Sequence, residues 1–145
     1  MRKLWVVLLC LSVIGCAYDD SIPAKVKSKA RIPIQALVNR EVYSMFEPQI
    51  NCLYPIGYMV VMQKAREGYL LRPNNEDLGM NKGIAFLQTD KQIDQGEMFS
   101  LGFWAYYVGK LRYKTILGFD NEVYTFRLVD VNKNKKKFDE LEKVD

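Results

Sequence analysis

The stretch that decides the fold is Phe103-Trp-Ala-Tyr-Tyr-Val-Gly-Lys-Leu-Arg-Tyr-Lys-Thr-Ile-Leu117, continued by Gly118-Phe-Asp-Asn-Glu-Val-Tyr-Thr-Phe-Arg-Leu128. β-Branched and aromatic residues dominate it, and they alternate with the two-residue period of a strand. Gly109-Lys110 is a glycine-first pair that fits a type II′ turn. A hairpin closed there pairs Val108 with Leu111, Tyr106 with Tyr113 and Trp104 with Thr115. A second turn centred on Asp120-Asn121 pairs Leu117 with Tyr124, Thr115 with Phe126 and Tyr113 with Leu128. The same face is then apolar across three strands, and slipping any strand by one residue would reverse it. Trp104, Tyr106, Tyr113, Tyr124 and Phe126 are expected on the core face, with a sugar-stacking or ligand cleft as their alternative use.

This register has a consequence on the opposite face. Lys114 falls directly opposite Arg127, with Arg112 two residues along and Tyr107 beside Arg112. Like charges facing each other across a strand pair are disfavoured. The pattern therefore predicts either a solvated face or a surface for an anionic partner, built from Arg112, Lys114, Arg127 and Tyr107.

Upstream, Tyr58 to Lys64, Tyr69 to Arg72 and Ile84 to Gln88 read as short strands, with Glu67-Gly68 as a turn. Residues 73–83 and 89–97 read as polar loops. Ile34, Leu37, Val38, Val42, Met45 and Phe46 recur at three- and four-residue spacing, which predicts an amphipathic helix over Pro33 to Phe46. Pro33 suits its first position and Pro48 its stop. Pro48 to Gly57 reads as a connection. The fold class expected is mainly β with one N-terminal helix, as a small, strongly bent antiparallel sheet or a partly open barrel of SH3-like or OB-like architecture.

The amino-terminal residues carry a separate signal. Arg2 and Lys3 precede an apolar run from Leu4 to Ile14. Eleven residues make about 16 Å of helix, short of the roughly 20 residues a spanning helix needs. The run suits the core of a secretion signal. It ends Val13-Ile14-Gly15-Cys16, which resembles the lipobox of bacterial lipoprotein precursors. That resemblance covers the signal and its junction. It implies cleavage between Gly15 and Cys16, a diacylglyceryl group on the Cys16 thiol and acylation, such as by palmitate, of the new amine. Ala17 stands where an Asp holds enterobacterial lipoproteins at the inner membrane, so the resemblance favours the outer membrane over the inner one. The expected organisation is a signal peptide over 1–15, a lipidated tether over 16–32, a helix plus β domain over 33–131, and a charged tail over 132–145, frayed or as a short helix. The basic residues Lys25, Lys27, Lys29 and Arg31 of the tether are read as solvated or lying against anionic headgroups.

Composition excludes several chemistries. The chain has no histidine, which removes Ser-His-Asp and Cys-His arrangements and the usual zinc-enzyme ligand sets. Cys52 would be the single thiol left after processing and is expected buried and inert. Asn74 to Asp77, and Asp90, Asp94 and Glu97, offer oxygen ligands without EF-hand spacing. No metal, cofactor or catalytic residue is assigned. Without residues 1–15 the chain would carry 19 basic against 17 acidic residues, a balance far from that of a dedicated nucleic-acid binder. The reading is a lipid-anchored, non-enzymatic binding or assembly accessory module of the cell envelope, whose partner is an envelope protein or an anionic envelope component. The alternatives are a cell-envelope hydrolase or metal-dependent enzyme, and a structural component of a secretion or surface complex.

Overall fold

The alternating segments become strands in a computed structural model of the protein, which describes residues 19–38, 47–74, 83–114 and 117–144. The elements are β1 (Ser28–Ala30), α1 (Ile34–Val38), β2 (Cys52–Pro55), β3 (Met59–Ala65), β4 (Gly68–Pro73), β5 (Ala85–Gln88), β6 (Trp104–Lys114), β7 (Asp120–Val129), α2 (Lys135–Glu140) and β8 (Glu142–Val144). Among the described residues the protein is mainly β. Its strands form a single mixed sheet in the order β3-β4-β5-β7-β6-β2-β1-β8.

β3 and β4 are joined by the two residues Arg66 and Glu67, with Ala65 opposite Gly68. Gly68 is needed for its lack of a side chain. A Cβ there would stand 1.9 Å from the Leu87 carbonyl oxygen of β5, so the β4–β5 ladder can start at Gly68↔Gln88 only with glycine in place.

The turn at Gly109-Lys110 does not form. β6 runs straight through it, pairing Gly109 with Thr125 and Lys110 with Tyr124. Gly109 instead serves a bulge between Tyr107 and Gly109, with φ at 143°. A glycine inside a strand pattern marks a bulge as readily as a turn, and here the bulge leaves one long strand where two were expected. The reversal comes after Lys114, with Gly118 at φ 85°. Consequently Tyr106 faces Arg127, Arg112 faces Glu122 and Lys114 faces Asp120, replacing the expected pairings. Thr115 and Ile116 lie outside the described residues.

The sheet is not purely antiparallel. β5 pairs with β7 in parallel, as do β1 with β2 and β1 with β8. β5 and β7, like β1 and β8, are non-consecutive strands, and β1 reaches β2 through α1, so no tight turn in the sequence announces these pairings. β7 slots between β5 and β6, so it runs antiparallel to its hairpin partner and parallel to β5. The outer edge of β3 is also engaged. Val60 bridges Met98, Phe99 N–H donates to the Met59 carbonyl at 2.8 Å, and Val61 N–H donates to the Glu97 carbonyl at 3.0 Å. The chain about to enter β6 thus returns to β3, bringing together the two ends of the run β3-β4-β5-β7-β6.

The main core lies inside that run. Met59, Val61, Tyr69, Leu71, Ala85, Leu87, Ala105, Tyr107, Phe126 and Leu128 pack with Ile34, Leu37 and Val38 of α1. The remainder of the expected helix, residues 39–46, lies outside the described residues. A second cluster covers the opposite face at the base of the β6–β7 hairpin, where Tyr106, Leu53 and Val129 meet Ile22, Val26, Trp104 and Phe138. Trp104 and Tyr106 therefore lie on the face opposite Tyr124 and Phe126, because this part of the sheet is buried on both sides.

One expectation about the ends is corrected by that second cluster. Residues 19–31 are not a free tether. Ile22 and Val26 are buried, and β1 is hydrogen-bonded between β2 and β8. Of the two forms expected for the carboxy-terminal residues, the short helix is the one found, and Phe138 of α2 packs edge-on to Trp104 at 5.0 Å. Each segment alone is too polar to fold; together they cover one apolar patch. β2, read as a connection because of its prolines, is a fully buried strand paired with β6.

Candidate functional site

The four residues expected to make an anionic-partner face are not brought together. Arg112 and Lys114 stand on the side of the sheet that carries Tyr124 and Phe126, as the register Lys110↔Tyr124, Arg112↔Glu122 and Lys114↔Asp120 requires. Arg127 projects from the other side. Its Nε and Nη2 donate to the Gln88 Oε1 at 3.3 and 3.2 Å, and its guanidinium lies 5.7 Å from the Tyr106 ring centre. Arg112 is neutralised by Glu122 at 2.9 Å, and Lys110 lies 3.9 Å from Glu47. Tyr107 is buried among Tyr124 and Phe126 and offers no exposed ring. The premise of the face was the hairpin register, and it falls with the Gly109 turn. Gly15 and Cys16, the expected cleavage and lipidation residues, lie outside the described residues.

Cys52 is buried at 1% exposure. Its neighbour Tyr54 receives the Gln49 N–H on its hydroxyl. Burial pushes the Tyr54 phenol up to about 12, so this hydroxyl stays protonated and is no acid–base group at neutral pH. The cleft beside it, lined by Ala30, Leu37, Glu47, Gln49 and Tyr54, has a volume of about 40 Å³, enough for water. A second cleft of about 160 Å³ lies beside the β3–β4 turn, among Lys64, Arg66, Tyr69, Thr89, Lys91 and Gln92. Both fall below the roughly 300 Å³ at which small-molecule sites begin. Asp94 N–H donates to Glu97 Oε2 at 3.2 Å, so that loop carboxylate caps its own backbone. Asn75, Glu76 and Asp77 lie outside the described residues.

Two surfaces that sequence reading missed stand out. The first is the distal half of the β6–β7 hairpin. Beyond Tyr107, Val108, Leu111, Leu117 and Phe119 are exposed, Leu117 at 82% and Phe119 at 67%, while Val123 opposite Leu111 stays buried. Exposed aliphatic and aromatic side chains grouped at one tip are the kind of patch that marks an interaction site. The alternation of residues 103–117 was visible, but placing the reversal at Gly109 put Leu117 inside the sheet.

The second surface joins the two ends of the described chain. Asp130 N–H donates to the Asp20 carbonyl at 2.9 Å. The Asn134 side-chain amide donates to that same carbonyl at 3.2 Å, and its Oδ1 accepts the Ile22 N–H at 3.3 Å. Lys137 Nζ donates to the Ile22 and Pro23 carbonyls, and Lys133 pairs with Asp20 at 3.1 Å. The hydrogen bond it donates to the Asp20 carboxylate holds the Lys133 ammonium above its ordinary range. Hydrogen bonds from Ser21 hold the Asp19 carboxyl below its own, as the Lys133 backbone N–H does for Asp130. Lys29 is largely covered, its ammonium 4.1 Å from the Phe138 ring centre. Lys25, Lys27, Lys133, Lys135 and Lys136 are exposed. No sequence signal links residues 20–23 to residues 130–137; only docking of the ends does so.

The chain matches no family model, no curated protein and no solved structure.

Proposed function

We propose that the protein is a lipid-anchored, non-enzymatic module of the bacterial cell envelope that binds or helps assemble an envelope partner. The anchor rests on Val13-Ile14-Gly15-Cys16 after an apolar run too short to span a bilayer. Two or more acyl chains on one residue hold a protein to a membrane where a single chain gives marginal binding. Ala17 favours the outer membrane. The observation that carries the binding role is the apolar tip formed by Leu117 and Phe119 at the reversal between β6 and β7. The architecture in this reading is the partly open, OB-like barrel. Its supports are the five-strand run β3-β4-β5-β7-β6 and the return of residues 97–99 to the edge of β3, in keeping with the five-stranded, partly open form of that barrel.

Two measurements test the two halves of the proposal. Cys16→Ala is expected to abolish palmitate labelling and to move the protein from the membrane fraction to the soluble fraction after a high-salt wash. Retention of the variant in washed membranes would mean that the lipid is not the anchor. Leu117→Asp should leave the melting temperature within a few degrees of wild type, because the side chain is 82% exposed. It should remove the protein's cross-links to envelope partners in intact cells. An unchanged cross-linking pattern would dismiss the hairpin tip as the binding surface.

A further inference from the structure

We infer that the surface shared by residues 19–27 and 133–136 is a membrane-facing side, which seats the domain on anionic phospholipid headgroups through Lys25, Lys27, Lys135 and Lys136. The inference rests on the lipid anchor proposed above and adds to it an orientation and a ligand chemistry.

The first support is the length of chain between anchor and fold. Cys16 and Asp19 are three residues apart in sequence, a reach of about 10 Å when fully extended. Asp20 is fixed to Asp130, Lys133 and Asn134 by the bonds described above. A lipid on Cys16 thus leaves no long tether. The end of β7 and the start of α2 must lie close to the bilayer surface, within about the 8–10 Å over which charges act at physiological salt.

The second support is charge. Lys25 and Lys27 come from the amino-terminal segment, and Lys135 and Lys136 from the first turn of α2; all four are exposed. Asp139 and Glu140, also exposed, stand in the last turn of α2 rather than its first, and the acidic groups nearest the anchor are each hydrogen-bonded. Asp20 is paired with Lys133, Asp19 Oδ1 accepts the Ser21 N–H and Asp130 Oδ1 accepts the Lys133 N–H. Exposed lysines beside a lipid anchor are attracted to an anionic leaflet and strengthen what acyl chains begin. The same geometry sets the far end of the molecule. The β6–β7 ladder runs from Trp104↔Val129 to Lys114↔Asp120, roughly 30 Å of strand at about 3.3 Å per residue. The hairpin tip therefore stands on the end of that ladder opposite the anchor.

The test is a lysine footprint of the membrane-extracted, full-chain product. The protein is reconstituted into vesicles of phosphatidylcholine, or of phosphatidylcholine mixed with phosphatidylglycerol, and treated with a water-soluble amine acylating reagent. Lys25, Lys27, Lys135 and Lys136 are expected to react roughly fivefold more slowly on the phosphatidylglycerol vesicles, the factor matching about 1 kcal/mol per lysine at an anionic surface. Raising the salt should restore their rates. Lys64, Lys110 and Lys114 should react equally on both. Equal rates for all seven lysines, or selective protection of Lys110 and Lys114, would overturn the inference. The mass of the peptide that begins at residue 16 reports the anchor separately. Acylated Cys16 with no footprint overturns the face and leaves the anchor standing. Unmodified Cys16 overturns the anchor, and adding that protein to the same vesicles then reads the face alone, by the same rates.

Discussion

Phe126→Ala is expected to destabilise the protein by about 3–5 kcal/mol, the range for removing a fully buried aromatic ring. Phe126 has no exposed surface and sits mid-strand on β7, flanked by Leu87 of β5 and Tyr107 of β6. Its ring meets Tyr54 edge-on at 5.8 Å and Tyr107 at 5.4 Å. Such aromatic pairs contribute about 0.5–1.5 kcal/mol beyond the area they bury. The cavity opens at the junction of the parallel and antiparallel halves of the sheet. There the neighbours are held by ladders on both sides and can relax little. Against a total stability of about 5–15 kcal/mol, the loss should appear as a large drop in the urea midpoint with little change in slope. A midpoint within error of wild type would show that β7 does not occupy the centre of the core.

The second large effect concerns α1. Leu37→Asp places a carboxylate where the side chain is 3% exposed, among β-sheet residues of the main core. Loss of the apolar side chain alone costs about 2–5 kcal/mol, as for Leu→Ala. A buried charge without a partner adds more, or protonates to avoid it. The Asp carboxyl introduced there has its pKa raised by burial. The sign follows from that: protonation is favoured in the folded state, so the deficit relative to wild type should be largest near neutral pH and shrink as the solution is acidified through the carboxylate range. Leu37→Ala provides the comparison, with a smaller deficit that does not depend on pH. A Leu37→Asp protein with wild-type stability at neutral pH would detach α1 from the core altogether.

Much of the β framework was legible before any coordinates. Tyr58 to Lys64, Tyr69 to Arg72 and Ile84 to Gln88 lie within a residue or two of β3, β4 and β5. Val, Tyr, Phe and Leu at alternating positions between Gly, Pro and Asn clusters leave few other readings. The strand character of Phe103 to Val108 and of Val123 to Leu128 was equally plain. Register was not. Gly109 satisfies a turn and a bulge alike, and the choice depends on whether the residues after it have a partner strand. They do, because β7 supplies one along the length of β6, and pairing Arg112 with Glu122 and Lys114 with Asp120 joins opposite charges, where the turn reading sets Lys114 against Arg127. β2 was hidden for a related reason. A four-residue stretch ending in proline has weak strand propensity, and only burial between β1 and β6 makes it one.

Sequence alone thus determined that the fold is mainly β, most of its strand segments, the absence of histidine-dependent chemistry, and the composition of the junction at Cys16 on which the anchor is proposed. These are local properties: alternation, residue type and short-range spacing. Tertiary structure alone decided the register of β6 on β7, the parallel pairing of β5 with β7, and the docking of residues 19–31 against 130–144. Each depends on segments far apart in the chain competing for one apolar surface, and burial of Leu53, Tyr106 and Val129 beneath Ile22, Val26 and Phe138 favours an arrangement that no local pattern encodes.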